Sequence, residues 1–155
     1  MLIREGGLDH PGVRALLAYH YEQSRAASSA AKAHVFHIDR LAAPDIRFWS
    51  AWGSDDGLLG VAALKRLKPE TGEVKSMHVA AAARRTGVGR RLMERIEAAA
   101  RADGVRRLYL ETGSFDYFAP ARRLYESCGF VSCSAFDAYV EDPASCFMSK
   151  EVDRA

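Results

Sequence analysis

Hydrophobic and polar positions along the chain recur in two rhythms, and each rhythm predicts a different kind of element. In GVRALLAYHYEQ the apolar residues fall at helical spacing after Pro11, which suits the first turn of a helix. The preceding MLIREGG predicts a short strand. IRFWSAW and LLGVAALKRL alternate on either side of the turn signal GSDDG, so these two segments predict a β-hairpin.

The second half of the chain predicts a strand, a helix, a strand and a helix in that order. EVKSMHV follows the turn KPETG and reads as a strand. Strict alternation places Val74, Ser76 and His78 on one face and Glu73, Lys75, Met77 and Val79 on the other. A helix is predicted from Val88 to Asp103, with Gly104 as its stop. RRLYLET predicts the next strand, and APARRLYESCGF predicts a second helix.

Two final strands, FVSCSAF and SCFMSKEV, complete the predicted order. SRAASSAAKA is expected to be a connector, helical or mobile, and HVFHIDRLAAPD is ambiguous up to Pro44, which ends any preceding helix. The order predicts a mixed α/β fold, with a largely antiparallel sheet and one parallel strand–helix–strand crossover. We expect a single domain over residues 1–155, since the chain is of ordinary domain length.

Composition narrows the class of protein only a little. The formal net charge of +2 is too small to imply a nucleic-acid partner by itself, so any basic patch must be local. No stretch approaches the ~20 apolar residues of a membrane span, so we expect no membrane partner and a cytoplasmic location. Three cysteines without metal-finger spacing are simplest as free thiols.

The stretch ARRTGVGRRL, residues 83–92, carries the strongest chemical signal. It lacks the third glycine of a dinucleotide-binding turn and the Gly-Lys-Ser/Thr of a phosphate-binding loop. It does follow a predicted strand and open a predicted helix. The first N–H groups of such a helix lack intrahelical partners and favour anions, and Gly87 and Gly89 would let a phosphate approach. From the residues alone, a solvated basic helix start remains the alternative.

The context of this stretch resembles a known family. RRTGVGRRLM resembles the R/Q-x-x-G-x-G/A motif with which the GNAT superfamily of N-acetyltransferases holds the pyrophosphate of acetyl-coenzyme A (acetyl-CoA). EVKSMHV, RRLYLET and ARRLYESCGF are similar to that family's fourth strand, fifth strand and A-x-x-L-Y-x-x-x-G-F helix, in the right order over residues 73–130. Other segments resemble a bacterial subgroup of small acetyltransferases. The resemblance implies the GNAT fold, acetyl-CoA as co-substrate and no metal.

The resemblance also implies roles for individual residues. Glu73, six residues before Val79, matches the general base of the histone-acetylating members. Glu111 or a water chain is the alternative base. If Glu73 has only a structural role, its carboxylate pairs with a nearby lysine. Tyr125 matches the tyrosine near the coenzyme sulfur and would be the general acid. The alternative is that Tyr125 only packs in the core. The residues implied to hold the cofactor are Met77, His78, Val79, Arg84, Arg85, Thr86, Gly87, Val88, Gly89 and Arg90.

One position departs from the family pattern. Relatives often have asparagine where this chain has Phe118, which puts a contact to the pantetheine arm in doubt; Tyr117 or Ser114 would have to substitute. The expected acceptor is a primary amine of a small molecule or peptide, and a homodimer is possible. The residues considered for its pocket, each also a candidate for the core, are His20, Tyr21, Trp49, His78, Tyr117, Tyr139 and Phe147.

Two other functions stay open at this point. A non-catalytic acyl-CoA-binding module that senses cofactor level would keep the glycine loop without the chemistry. A nucleic-acid binder using the arginines would bind with a steep salt dependence, and the chain's acidic residues count against it. His34 and His37 are spaced for one helix face, but without an identifiable further ligand they do not indicate a metal site.

Overall fold

The computed structural model describes residues 1–27 and 38–152. Its α-helices and strands follow one another as β1 (Leu2–Glu5), α1 (Pro11–Ala27), β2 (Ile46–Trp52), β3 (Leu58–Lys68), β4 (Thr71–Val79), α2 (Val88–Ala102), β5 (Arg107–Gly113), α3 (Ala119–Ser127), β6 (Val131–Ser132) and β7 (Ser145–Glu151). The strands form one sheet in the order β1-β2-β3-β4-β5-β7-β6. The predicted mixed α/β fold is confirmed.

The parallel crossover lies where the sequence predicts it. Neighbouring strands pair antiparallel except β4 and β5, which pair parallel and are joined through α2. A parallel pair needs such a crossover, because a tight turn cannot return the chain to the same end of the sheet. Helix α2 begins at Val88 as predicted, and Gly104 follows it with a φ of 82°, a left-handed conformation that suits a helix end.

Two layers of helix cover opposite faces of the sheet. On one, here called the α1 face, Val13 and Leu17 of α1 pack in a buried cluster with Val61 and Ala63 of β3. On the other, the α2 face, the apolar side of α2 packs against the sheet through Leu92, Met93, Ile96 and Ala100 in the larger core cluster. Both helices bury one stripe of side chains, as amphipathic helices on a sheet do.

A bulge in β4 changes which residues share a face. Ser76 has a φ of 54°, and the pairing with β3 jumps from Val61–His78 to Ala63–Lys75, so that two residues of β4 oppose Ala62 alone. The prediction of strict alternation is therefore wrong. Residues on the α1 face are Glu73, Lys75, Ser76 and His78, whereas Val74, Met77 and Val79 lie on the α2 face.

Two further segments differ from expectation. FVSCSAF forms only the two-residue strand β6, because Phe136 turns back to pack on Tyr109 and Phe147 and Asp137 takes a left-handed φ of 51°. The ambiguous HVFHIDRLAAPD contains a 3₁₀ helix at Ile38–Ala42. The predicted connector SRAASSAAKA is helical up to Ala27, and its remainder lies outside the described residues.

Candidate functional site

The N-terminus of α2 has the features that favour binding of an anion. Its N-cap is Gly87, left-handed at φ 87°, and the helix starts with neither a side-chain cap nor an acidic residue in its first turn. The preceding Arg85 is also left-handed, at φ 64°. Because the first N–H groups of a helix have no intrahelical acceptors, this end presents donors and the positive end of the helix dipole.

A cleft of about 760 Å³ opens at this helix end. Arg84, Arg85, Arg90 and Arg123 line it, and no Asp or Glu is among its described lining residues. Arg90 also donates to the Ser127 hydroxyl at 2.9 Å, which ties the start of α2 to the end of α3. The cleft therefore carries charge of one sign, which favours a polyanionic ligand.

Most residues implied to hold the cofactor line this one cleft. Of the ten, Thr86 alone is not among its described lining residues; its hydroxyl donates instead to the Ala83 carbonyl within the same loop. Gly89 has a second role, because a Cβ there would come within 2.7 Å of Leu124 Cδ2. A glycine at this position lets α2 and α3 pack closely at the cleft wall.

The sheet is split beside the cleft. Pairing between β4 and β5 covers Thr71–Glu73 and Arg107–Tyr109, and among the described strands it ends there. Beyond Glu73, β4 keeps β3 on one side and has an open edge on the other. An open strand edge carries hydrogen-bonding groups that an extended ligand can use as an added strand would. Met77 and Val79 lie on this stretch and line the cleft.

Tyr125 lies in the wall of the cleft, on α3. It is buried, its ring packs edge-on against Phe130, and its hydroxyl makes no hydrogen bond to the described residues. Burial raises the pKa of Tyr125 above its ordinary value, and the charge of Glu111 adds to the shift. The phenol is therefore protonated at neutral pH and can only donate a proton.

Glu73 lies outside the described lining of the cleft, on the α1 face where the strand pairing ends. The residue is 3% exposed. Its Oε2 accepts a hydrogen bond from the Tyr139 hydroxyl at 2.8 Å and lies 3.2 Å from Lys75 Nζ. The buried carboxylate therefore has both a charged partner and a hydroxyl donor, as burial of such a group requires. The gap between β4 and β5 separates this carboxylate from Tyr125 on the other face.

His20 of α1 and His78 of β4 form a second polar pair that lines the cleft. Their Nδ1 atoms are 2.9 Å apart, so one ring donates and the other accepts. Burial lowers the pKa of His78 to about 4, with Arg84 contributing. Burial likewise lowers the pKa of His20 to about 3, with His78 contributing. Both imidazoles are therefore neutral at pH 7, and His78 Nε2 has no partner among the described residues.

Phe118 stands where relatives often have asparagine, and its ring is used for packing. Phe118 covers Gly113, where a Cβ would lie 2.0 Å from its ring, and it lines the cleft. Of the two substitutes considered, Tyr117 lines the cleft, whereas the Ser114 hydroxyl donates to the Pro143 carbonyl at 2.7 Å. Tyr117 is therefore the better placed.

The residues considered for an acceptor pocket divide into three groups. His20, His78 and Tyr117 line the cleft. Trp49 is fully buried in the α2-face core, so it lines no pocket. Tyr21 bonds the Ser76 hydroxyl at 2.9 Å, and Tyr139 and Phe147 belong to an aromatic cluster beside Glu73.

Sequence reasoning missed several cleft residues on α3. Ala121, Leu124 and Tyr125 line the cleft from one side of this short helix, and only Tyr125 had been singled out. Their spacing of three and one is the helical signal that would have grouped them. The contact between Tyr139 and Glu73 spans 66 residues and leaves no signal in the sequence.

A helix N-terminus without a cap, a cationic cleft and an open strand edge together suit an extended, anionic co-substrate. The chain is in fact a member of the acetyltransferase (GNAT) family, whose sequence profile matches residues 14–130. It is an acetyltransferase. The resemblance to GNAT proteins stated from the motifs is thereby confirmed.

Individual relatives agree with this membership. The chain is 46% identical over 119 residues to the uncharacterized N-acetyltransferase YsnE of Bacillus subtilis, covering 77% of this chain and 78% of that one. It is 37% identical over 147 residues to the uncharacterized N-acetyltransferase YedL of Escherichia coli, covering 95% and 92%. A solved aminoglycoside 6'-N-acetyltransferase in complex with coenzyme A matches the fold with a TM-score of 0.75 at 16% identity, covering 100% and 99% of the two chains.

Within residues 1–27 and 38–152, no helix is long and apolar enough to cross a membrane. In the same ranges, no group of three or more His, Cys, Asp or Glu side chains is arranged to hold a metal ion. His34 and His37 lie outside the described residues.

Proposed function

We propose that the protein is an acetyl-CoA-dependent N-acetyltransferase that moves an acetyl group to a primary amine of a small molecule or peptide, by direct attack within a ternary complex. The observation that carries the proposal is the cationic cleft at the uncapped N-terminus of α2, beside the open edge of β4. Family membership and the CoA complex of a protein with the same fold support acetyl-CoA as the donor.

The donor side is assigned from the loop and the strand. The main chain of residues 87–90 and the guanidinium groups of Arg84, Arg85 and Arg90 bind the pyrophosphate, since helix N–H groups and arginines both favour phosphate. The open edge of β4 near Met77 and Val79 binds the pantetheine arm by main-chain hydrogen bonds. Bound in this way, acetyl-CoA supplies a thioester carbonyl at the gap between β4 and β5.

The acceptor amine carries a proton at neutral pH, because its pKa is roughly 10. In the proposal Glu73 accepts that proton, directly or through a water, and the freed amine attacks the thioester carbon. Main-chain N–H groups of β4 stabilise the negative charge that forms on the carbonyl oxygen. The C–N bond forms, the C–S bond breaks, and Tyr125 donates its proton to the departing thiolate. The new amide nitrogen gives its extra proton to water, Glu73 releases its own proton to water, and Tyr125 regains one from water. The products are an amide, CoA thiol and one proton in solution.

Release of CoA thiol from acetyl-CoA, measured across a panel of primary amines, tests the activity itself. We expect turnover with at least one amine and, separately, a raised Tm in the presence of CoA. Stabilisation by CoA without turnover of any amine would instead favour an acyl-CoA-binding module. If CoA neither binds nor stabilises the protein, the donor assignment fails.

Glu73→Gln tests the base, with Glu111→Gln as its matched control on the neighbouring strand. A general base contributes roughly 10²–10⁴-fold, so Glu73→Gln should lower kcat at least about 100-fold while CoA still binds. Glu111→Gln should retain most of the activity. The reverse outcome would assign the base to Glu111, and two active variants would favour a water chain.

A further inference from the structure

The carboxylate of Glu73 is held from one side only. Tyr139 Oη at 2.8 Å and Lys75 Nζ at 3.2 Å both contact Oε2, and Tyr139 Oη lies 3.4 Å from Lys75 Nζ. Glu73 Oε1 has no hydrogen-bond partner among the described residues. The carboxylate is thus fixed through one oxygen, and the other is left for a proton.

The hydroxyl of Tyr139 is held in place by the packing of its ring. Phe136 lies edge-on to that ring at 5.0 Å between centroids, and Phe147 does so at 5.5 Å. Tyr109 of β5 stacks on Phe136 at 4.8 Å and closes the cluster. Because aromatic pairs of this geometry restrict the ring, the phenol presents its oxygen to Glu73 at a fixed angle.

We propose that Tyr139 is a positioning residue for the base: its hydroxyl donates to Oε2 of Glu73 and so leaves Oε1 as the oxygen that takes the proton from the amine. This inference rests on the proposed function, in which Glu73 is that base. Lys75 supplies charge to the same oxygen, whereas the O–H of Tyr139 supplies direction, because a hydrogen bond depends steeply on angle.

The charges around the pair keep the direction of this hydrogen bond fixed. Burial raises the pKa of Tyr139 well above its ordinary value, and the Glu73 charge raises it further, so the phenol keeps its proton. It donates that hydrogen to Glu73 Oε2, while its oxygen accepts from Lys75 Nζ. The titratable groups that face the pair come from β3, β4, β5 and the loop after β6; they are Lys65, Lys75, Tyr109, Glu111 and Asp137.

The test compares Tyr139→Phe with Tyr109→Phe. Both substitutions keep a ring in the same aromatic cluster, and the Tyr109 hydroxyl makes no hydrogen bond among the described residues. The first readout is carboxyl NMR of protein labelled with ¹³C-glutamate, assigned by Glu73→Gln, which needs no acceptor. We expect the Glu73 carboxyl resonance to move in Tyr139→Phe, because the hydrogen bond to its Oε2 is lost. Tyr109→Phe should leave that resonance in place.

The second readout is the split between kcat and KM with acetyl-CoA and the best amine of the panel. In Tyr139→Phe we expect kcat to fall roughly five- to tenfold, with CoA affinity unchanged. A wild-type carboxyl resonance and a wild-type kcat in Tyr139→Phe would overturn the positioning role while Glu73→Gln remains inactive. An active Glu73→Gln would overturn the role together with the base assignment, and CoA binding by both variants would still leave the donor site standing.

Discussion

The cationic cleft at the start of α2 and the buried side chains around Glu73, here called the Glu73 cluster, are neighbouring regions. They differ in which groups of the chain carry their chemistry. The cleft owes its chemistry to main chain and exposed cations: an uncapped helix end, a left-handed glycine and an open strand edge. The Glu73 cluster owes its chemistry to buried side chains, with Tyr139 and Lys75 holding one carboxylate oxygen. In the proposed function, affinity for CoA therefore depends on backbone shape, whereas proton transfer depends on side-chain contacts that span the chain.

The largest expected effect on CoA affinity comes from a side chain added at Gly87, at the start of α2. Gly87→Val should weaken CoA binding about 30-fold or more, which corresponds to about 2 kcal/mol. A Cβ at Gly87 meets nothing within 4 Å, so the added side chain extends into space that the phosphates would use, and φ 87° is strained for valine. Isothermal titration with CoA measures the change.

Gly104→Val is the matched control for that substitution. Gly104 is also left-handed, at φ 82°, and also open around its Cβ, but it lies at the other end of α2. Both variants should lose similar stability, and only Gly87→Val should lose affinity. Equal affinity for CoA in the two variants would contradict the assignment of the phosphate site, because the N-terminus of α2 would then contribute nothing to binding.

An intermediate effect, on kcat, is expected from removing the phenol of Tyr125 in the wall of the cleft. Tyr125→Phe keeps the ring packed against Phe130 and removes the proton donor, so kcat should fall more than tenfold while CoA affinity stays within about twofold. Steady-state kinetics and CoA titration separate the two quantities. Tyr117→Phe, in the same cleft, should change kcat less than threefold. An unchanged kcat in Tyr125→Phe would remove this residue from the mechanism.

The smallest expected effect concerns stability, through the pair of histidines. The pKa of His20 is lowered to about 3 and that of His78 to about 4, each from 6.5 and each mainly by burial. Between pH 6.5 and 4 the unfolded chain therefore binds more protons than the folded one, and stability falls as the pH falls. In His78→Gln the loss of Tm across this window should be smaller by about 3–5 °C.

Replacing the exposed His10 provides the control for this pH effect. His10→Gln replaces an exposed imidazole that accepts a hydrogen bond from the Gly12 N–H, and it should retain the wild-type dependence of Tm on pH. Thermal melts at several pH values measure both variants. An equal slope in His78→Gln and wild type would mean that the buried pair does not set the acid sensitivity.

The two regions also differ in how far the sequence predicts them. Residues 84–90 are contiguous, and their glycines and arginines predict an anion site. The prediction is possible because such a site depends on local backbone and local charge. The order of strands and the crossover followed from periodicity. The pairs His20–His78 and Tyr139–Glu73 join residues 58 and 66 positions apart, and no local pattern encodes such contacts. The bulge at Ser76 was missed because serine carries no signal for a left-handed residue within a strand.

That bulge has a consequence for anyone who redesigns this scaffold. Six positions separate Glu73 from Val79, and in a regular strand an even number would put both side chains on one face. The extra residue at Ser76 sends them to opposite faces, so in the proposed function one strand serves the donor on one side and the acceptor on the other. Straightening the bulge without deleting a residue would turn Glu73 toward the apolar side beneath α2, whereas deleting Ser76 would leave Glu73 and Val79 on their present faces. The bulge and the number of residues in this stretch therefore have to be changed together.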